Sequence, residues 1–204
     1  MNRKMDKNRT DVYLALLPCG DCDEPLYPEE RDTLVKNTAN SAVRRERYYV
    51  WRLLEVAIRR SLGCELSEIG LRRDGERWTG DLCDISLSHS GGALAVALSG
   101  APVGVDIESL SGDSDTARLA ERFFSEAERA EYYAAPEDER RLAFIRIWTA
   151  KEAIFKSQRS AAFAPSEVDS GASRVHRRTV RLSEEDFVIS VATEGEPTLN
   201  IVKM

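Results

Sequence analysis

The stretch Gly100–Leu110, GAPVGVDIESL, is a run of small and apolar residues that reads as a buried strand, yet it carries two carboxylates, Asp106 and Glu108. Residues two apart on a strand project from the same face, so both acids share one side while Val105 and Ile107 take the other. Two carboxylates that close repel. Either the strand end reaches solvent there, or a hard divalent cation, most simply Mg²⁺, offsets the repulsion by taking both as oxygen ligands.

Working outward, DISLSHS (84–90) and GALAVALSG (92–100) read as two strands joined through Ser90, Gly91 and Gly92, with PVGVDIE (102–108) as a third strand of one antiparallel block. Upstream, DVYLALL (11–17) reads as a strand, and residues 28–63 as helical, with Val50, Leu53, Leu54, Ala57 and Ile58 at helical spacing and Gly63 as the stop. IGLRRDGERWTGD (69–81) follows as a short strand and turn. The order then repeats. Residues 117–158 read as helical with a break near Pro136, followed by strands at 177–183, 186–193 and 198–204. Trp51 and Glu55 in the first long helix are echoed by Trp148 and Glu152, 97 residues on. The expected class is α+β, built from two similar halves, 1–100 and 101–204, packed without a linker and able to form a site at their junction.

A third acid lies in WTAKEAIFK (148–156), where Glu152 and Lys156 are four apart and share a helix face. An ordinary surface pair is the simpler reading, but Phe144, Ile147, Trp148, Ile154 and Phe155 make this helix apolar enough to be buried, and a buried acid needs a partner. In SLSHSGG (86–92), Ser88, His89 and Ser90 sit between strand and glycine turn, where hydroxyls, imidazole and backbone donors can meet an anion. A histidine capping the turn is the competing reading. Arg44, Arg45 and Arg47 form a run that is either a solvated face or a local phosphate site. His176 reads as surface.

The net charge of −6 argues against general nucleic-acid affinity. With 42% hydrophobic and 31% charged residues and no long apolar run, a membrane helix and a signal peptide are not expected, which points to a cytoplasmic chain. The four cysteines make one CGDC at Cys19–Cys22, read as loop thiols rather than half a zinc site.

SLSHSGG, VGVDIE and WTAKEAIFK, in this order, together with RFFSEAE (122–128), resemble the signature of the 4′-phosphopantetheinyl transferases of the larger, surfactin-synthetase-activating kind. The resemblance implies two α/β halves related by a pseudo-twofold axis, with the 1–100 half holding the nucleotide side of coenzyme A and the 101–204 half the metal and catalytic helix. By correspondence, Asp106, Glu108 and Glu152 would hold Mg²⁺ at the coenzyme A pyrophosphate, and Lys156 would contact that phosphate. Ser88 and His89 match positions at the nucleotide end, and Arg47 and Arg77 lie near positions that meet the 3′-phosphate. The implied reaction moves the phosphopantetheine arm to a serine of an apo acyl or peptidyl carrier protein, with Glu152 taking the serine proton and 3′,5′-ADP leaving. Two fused halves would make a monomer sufficient. A non-catalytic protein that keeps the fold and binds coenzyme A or the carrier is the alternative. The pattern departs in two places, at SQRSAAFAP (157–165), where relatives often have a glycine turn, and at GERW (75–78), where they often have Gly-Lys-Pro.

Overall fold

A computed structural model of the chain describes residues 4–20, 22, 24–75, 77–158, 163–171 and 174–204. Both sequence departures therefore lie partly outside the described residues. Among those described, nine strands form two sheets. The first has six strands in the order β2 (Arg72–Asp74), β3 (Arg77–Thr79), β4 (Asp84–Ser90), β5 (Ala93–Ser99), β1 (Thr10–Leu16) and β9 (Thr198–Ile201). The second has three, β6 (Gly104–Ser109), β8 (Glu185–Ala192) and β7 (Val175–Leu182), in that order. β4 and β5 form the expected hairpin, turned by Gly91 and Gly92 at φ +56° and +81°, a conformation open to glycine at little cost.

The third-strand expectation for PVGVDIE is corrected. β6 pairs antiparallel with β8, Asp106 opposite Ser190, and belongs to the second sheet. The strand at the end of the chain crosses the other way: β9 pairs parallel with β1. One sheet thus contains both early and late strands.

The long helical stretches are also more divided than their periodicity suggests. The first is two helices, α1 (Glu29–Lys36) and α2 (Ser41–Leu62). Asn40 separates them because its side chain accepts hydrogen bonds from the Ala42 and Val43 N–H groups at 3.0 and 3.1 Å, closing the N-terminus of α2, and Gly63 closes the other end at φ +65°. Asn40→Ala should cost about 1 kcal/mol, read as a lower denaturant midpoint with an unchanged m-value. The second stretch is three helices, α3 (Thr116–Phe123), α4 (Glu126–Ala134) and α5 (Arg140–Gln158), with a capping box at Ser125 and Glu128 making a break that Pro136 alone did not announce.

Burial explains the layers. α2 lays Trp51, Leu54 and Ile58 on Leu94, Val96 and Leu98 of the first sheet. The opposite face of that sheet, with Val12, Leu14, Ala95 and Ala97, meets Val105, Ile107, Ile189 and Val191 of the second. α5 packs against β6 and β8. Its approach is set by Gly104, where an added Cβ would lie 1.8 Å from the Ala153 carbonyl oxygen.

Candidate active site

β6 forms an edge of its sheet, and a polar comb from β4 satisfies that edge. Asp84 accepts from the Val103 N–H at 2.9 Å, Ser86 from Val105 at 2.9 Å and Ser88 from Ile107 at 3.4 Å. The alternation of Asp84, Ser86, Ser88 and Ser90 puts all four on one face of β4, so the comb follows from strand periodicity. It also places hydroxyls on the acids. Ser88 Oγ donates to Asp106 Oδ1 at 2.7 Å, and Ser90 Oγ to Glu108 Oε2 at 2.5 Å.

From α5, Lys156 Nζ lies 2.7 Å from Asp106 Oδ1 and 3.7 Å from Glu152 Oε2, and donates to the Val105 carbonyl at 3.1 Å. The structure therefore gathers Ser88, Asp106, Glu108, Glu152 and Lys156 at one place. Their electrostatics show crowding. Burial, and then the charge of Asp106, push the Glu152 carboxyl up to about 7. Burial raises Glu108 as well, with Ser90 pulling it back and Asp106 pushing it further up. A cleft of about 550 Å³ opens beside them, lined by residues that include Ser90, Glu108, Arg141, Phe144 and Trp148.

These oxygen donors suit a hard cation, and Asp106 Oδ2 is buried without a hydrogen-bond partner, which is what a ligand oxygen awaiting an ion looks like. Among the described residues no group of three or more His, Cys, Asp or Glu is gathered closely enough to hold a metal ion. Ser88 and Lys156 share Asp106 Oδ1, while Ser90 holds Glu108 Oε2. Of the cysteines, Cys19 is exposed and Cys64 and Cys83 are buried.

His89 points away from this group, as alternation on β4 requires. Its Nδ1 lies 3.0 Å from Glu46 Oε2 on α2, and Glu46 Oε1 accepts from the Gly92 N–H at 3.0 Å. Burial lowers the imidazole below its ordinary value, against the pull of the Glu46 carboxylate. Arg47, one helical position on, donates to Thr38 Oγ1 at 3.3 Å, and Arg31 donates to the Arg47 carbonyl at 2.7 Å. Burial, then the charges of Arg47 and Arg73, lower the Arg31 guanidinium to about 10. Arg31, Arg47 and Arg73 are therefore near enough to feel one another as like charges. Arg77, on β3, has its guanidinium 3.5 Å from the Val103 carbonyl oxygen. His176 does have a partner, Glu196 Oε2 at 3.0 Å.

The sequence model of the 4′-phosphopantetheinyl transferase superfamily matches residues 102–198. Over 183 residues the chain is 30% identical to the 4′-phosphopantetheinyl transferase ffp of Bacillus subtilis, covering 79% of each protein. This chain belongs to that superfamily. It is also 42% identical over 86 residues to the 4′-phosphopantetheinyl transferase AcpT of Salmonella typhimurium, across 42% of this chain and 45% of that protein. With the 4′-phosphopantetheinyl transferase psf-1 of Bacillus pumilus it shares 33% identity over 109 residues, 53% of this chain and 46% of that one. In these last two matches the chain spans about half the length of the relative. The segment matched to the superfamily contains Asp106, Glu108, Glu152 and Lys156, and leaves out Glu46 and the arginines around it.

Several participants were missed from sequence. Glu46 sits inside the basic run RRER, where an isolated acid is the available signal. Arg31 and Arg73 are far from Arg47 in sequence, and only folding brings them near. Lys151, within the third motif, was passed over in favour of its neighbour Glu152.

Proposed function

We propose that this chain transfers the 4′-phosphopantetheine arm of coenzyme A to a serine of an apo acyl or peptidyl carrier protein, with release of 3′,5′-ADP. The observation that carries the reading is the gathering of Asp106 and Glu152 at Lys156, with Glu108 two residues along the same strand face and one buried carboxylate oxygen of Asp106 left unpaired. Asp106 and Glu108, with Glu152, would hold Mg²⁺, which supplies neutralisation of charge on the pyrophosphate. Lys156 contributes a second positive charge on the same side, and phosphoryl transfer depends chiefly on such positioning and neutralisation. Glu152, raised toward neutrality by burial and by Asp106, is matched to taking the proton of the incoming serine. Ser88 and His89 stand on opposite faces of β4 and would meet the nucleotide end, and Arg47 and Arg77 the 3′-phosphate, with Arg31 and Arg73 joining Arg47. In this reading the 1–100 half serves the nucleotide and the 101–204 half the metal, the two helix-on-sheet units being pseudo-twofold repeats. The protein would act as a cytoplasmic monomer. Among the described residues no helix is long and apolar enough to cross a membrane.

The test is intact-protein mass spectrometry of an apo acyl carrier protein and an apo peptidyl carrier protein, each incubated with this protein, coenzyme A and Mg²⁺. The expected result is a gain of one phosphopantetheine, lost when EDTA is added. No gain on either acceptor, with a coenzyme A-induced thermal shift retained, would replace this reading with that of a non-catalytic binding protein.

A further inference from the structure

Among the described residues Lys151 is the largest charged side chain that is fully buried. An ammonium has three protons to donate, and here each has an acceptor. They go to Glu128 Oε2 at 2.7 Å, the Pro165 carbonyl at 2.9 Å and the Val168 carbonyl. Nothing is left for a substrate. Glu128 is equally occupied, accepting from the Ser170 N–H at 3.0 Å through Oε1 and from the Ser125 N–H at 2.8 Å through Oε2. Burial pushes the Glu128 carboxyl up, but Lys151 and these backbone donors outweigh it and hold the group below the usual carboxylate range. The pair therefore fastens three pieces together: the start of α4, the middle of α5 and the segment 163–170 that follows the catalytic helix.

That segment reaches the site through one ring. Phe163 packs edge-on against Trp148 at 5.8 Å between centroids and lies tilted against Phe155 at 5.0 Å. Trp148 is enclosed further by Phe123 at 5.7 Å and Phe144 at 5.9 Å. It also lines the cleft beside Glu108, and it lies one helical turn before Glu152, on the same face of α5.

We propose that Lys151 and Glu128 are positioning residues for the transfer: their buried pair holds segment 163–170 on α5, so that Phe163 fixes Trp148 and Trp148 fixes Glu152, and Lys151 never touches coenzyme A. The catalytic part of this inference rests on the transferase reading above, whereas the fastening of the segment does not. A displacement of about 1 Å at a reacting group can cost about 10²-fold in rate even when the substituted residue is remote from the chemistry. Removing one member of a buried pair leaves the other charge uncompensated, while replacing both by apolar groups of similar size is tolerated.

The experiment compares Lys151→Met, the paired Lys151→Met/Glu128→Leu and Phe163→Ala with the parent chain, measuring kcat, KM for coenzyme A, melting temperature and amide hydrogen exchange at Ser170. Lys151→Met should lower kcat by roughly 10²-fold, leave KM for coenzyme A within about twofold and speed exchange at Ser170. The paired variant should recover most of the kcat and the melting temperature. Phe163→Ala should lower kcat with little change in melting temperature, so the inference is testable even if Lys151→Met does not fold. A raised KM with kcat intact would make Lys151 a coenzyme A ligand and overturn the proposal. Unchanged kcat in folded Phe163→Ala would overturn it as well, by reducing the pair to a purely structural role. If the parent chain transfers nothing, the transferase reading fails, and unchanged Ser170 exchange in the variants would separately show that the pair does not fasten the segment.

Discussion

Glu152→Gln should lower turnover by about 10²- to 10⁴-fold, the range expected when a general base is removed, while the chain still folds and still shows a thermal shift with coenzyme A. The substitution keeps the shape of the side chain and removes only its ability to carry charge and accept a proton. Intact-mass kinetics on an apo carrier protein provide the measurement, and near-normal turnover would end both the base and the ligand assignment of Glu152. The same variant makes a second, independent forecast in metal-free buffer. The folded Glu152 carboxyl sits at about 7, above an unfolded glutamate at about 4.3, so between those values the folded state holds more protons than the unfolded one. Its contribution to stability therefore falls as pH rises through that window. Glutamine removes the loss, so the variant should melt higher than the parent at pH 8 and converge with it near pH 4. A group that is a liability to the metal-free fold and indispensable to turnover is what a site under electrostatic strain should contain.

Gly104→Ala should be the most damaging single methyl in the chain. Its Cβ would sit 1.8 Å from the Ala153 carbonyl oxygen and 2.7 Å from the Ser157 nitrogen, both backbone atoms of α5 that no rotamer change can move. Relief requires the helix to lift from β6, and overpacking costs typically about 1–3 kcal/mol and occasionally more, the upper end applying where backbone must move. Equilibrium denaturation would read the loss directly. Because Gly104 faces the helix that carries Glu152 and Lys156, the folded fraction should also transfer more slowly. A variant as stable and as active as the parent would mean that α5 does not approach β6 as closely as described.

The two acids on one face of β6, the hairpin of β4 and β5 and the long α2 were legible because each follows from local periodicity and a glycine stop. The sheet to which β6 belongs was not. A strand that follows a hairpin reads as its next neighbour, whereas the residue that Asp106 pairs beside is Ser190, a choice made by packing between distant parts of the chain. The comb on β4 was visible as alternating Asp84, Ser86, Ser88 and Ser90, but its meaning needs the open edge of β6 opposite it. The paired Trp and Glu of the two long helices illustrate the same limit. Trp148 packs among Phe123, Phe144 and Phe163 and Glu152 faces Lys156, while Trp51 donates to the Tyr27 carbonyl at 2.6 Å and Glu55 pairs with Arg52. Like spacing yields unlike partners, because the surroundings of each helix differ.

The parallel pairing of β9 with β1 bears on how the protein is made. At synthesis rates of about 5–20 residues per second, roughly 10–40 s separate the emergence of Thr10–Leu16 from that of Thr198–Ile201 on the ribosome. Throughout that interval the nascent first sheet presents β1 as an open edge, the kind of surface to which stray strands attach. Asp106 and Glu108 leave the ribosome during the wait, and Glu152 and Lys156 later still. The last strand to appear is thus the one that seals the first, and translation delivers the acids before the sheet they lean on is closed.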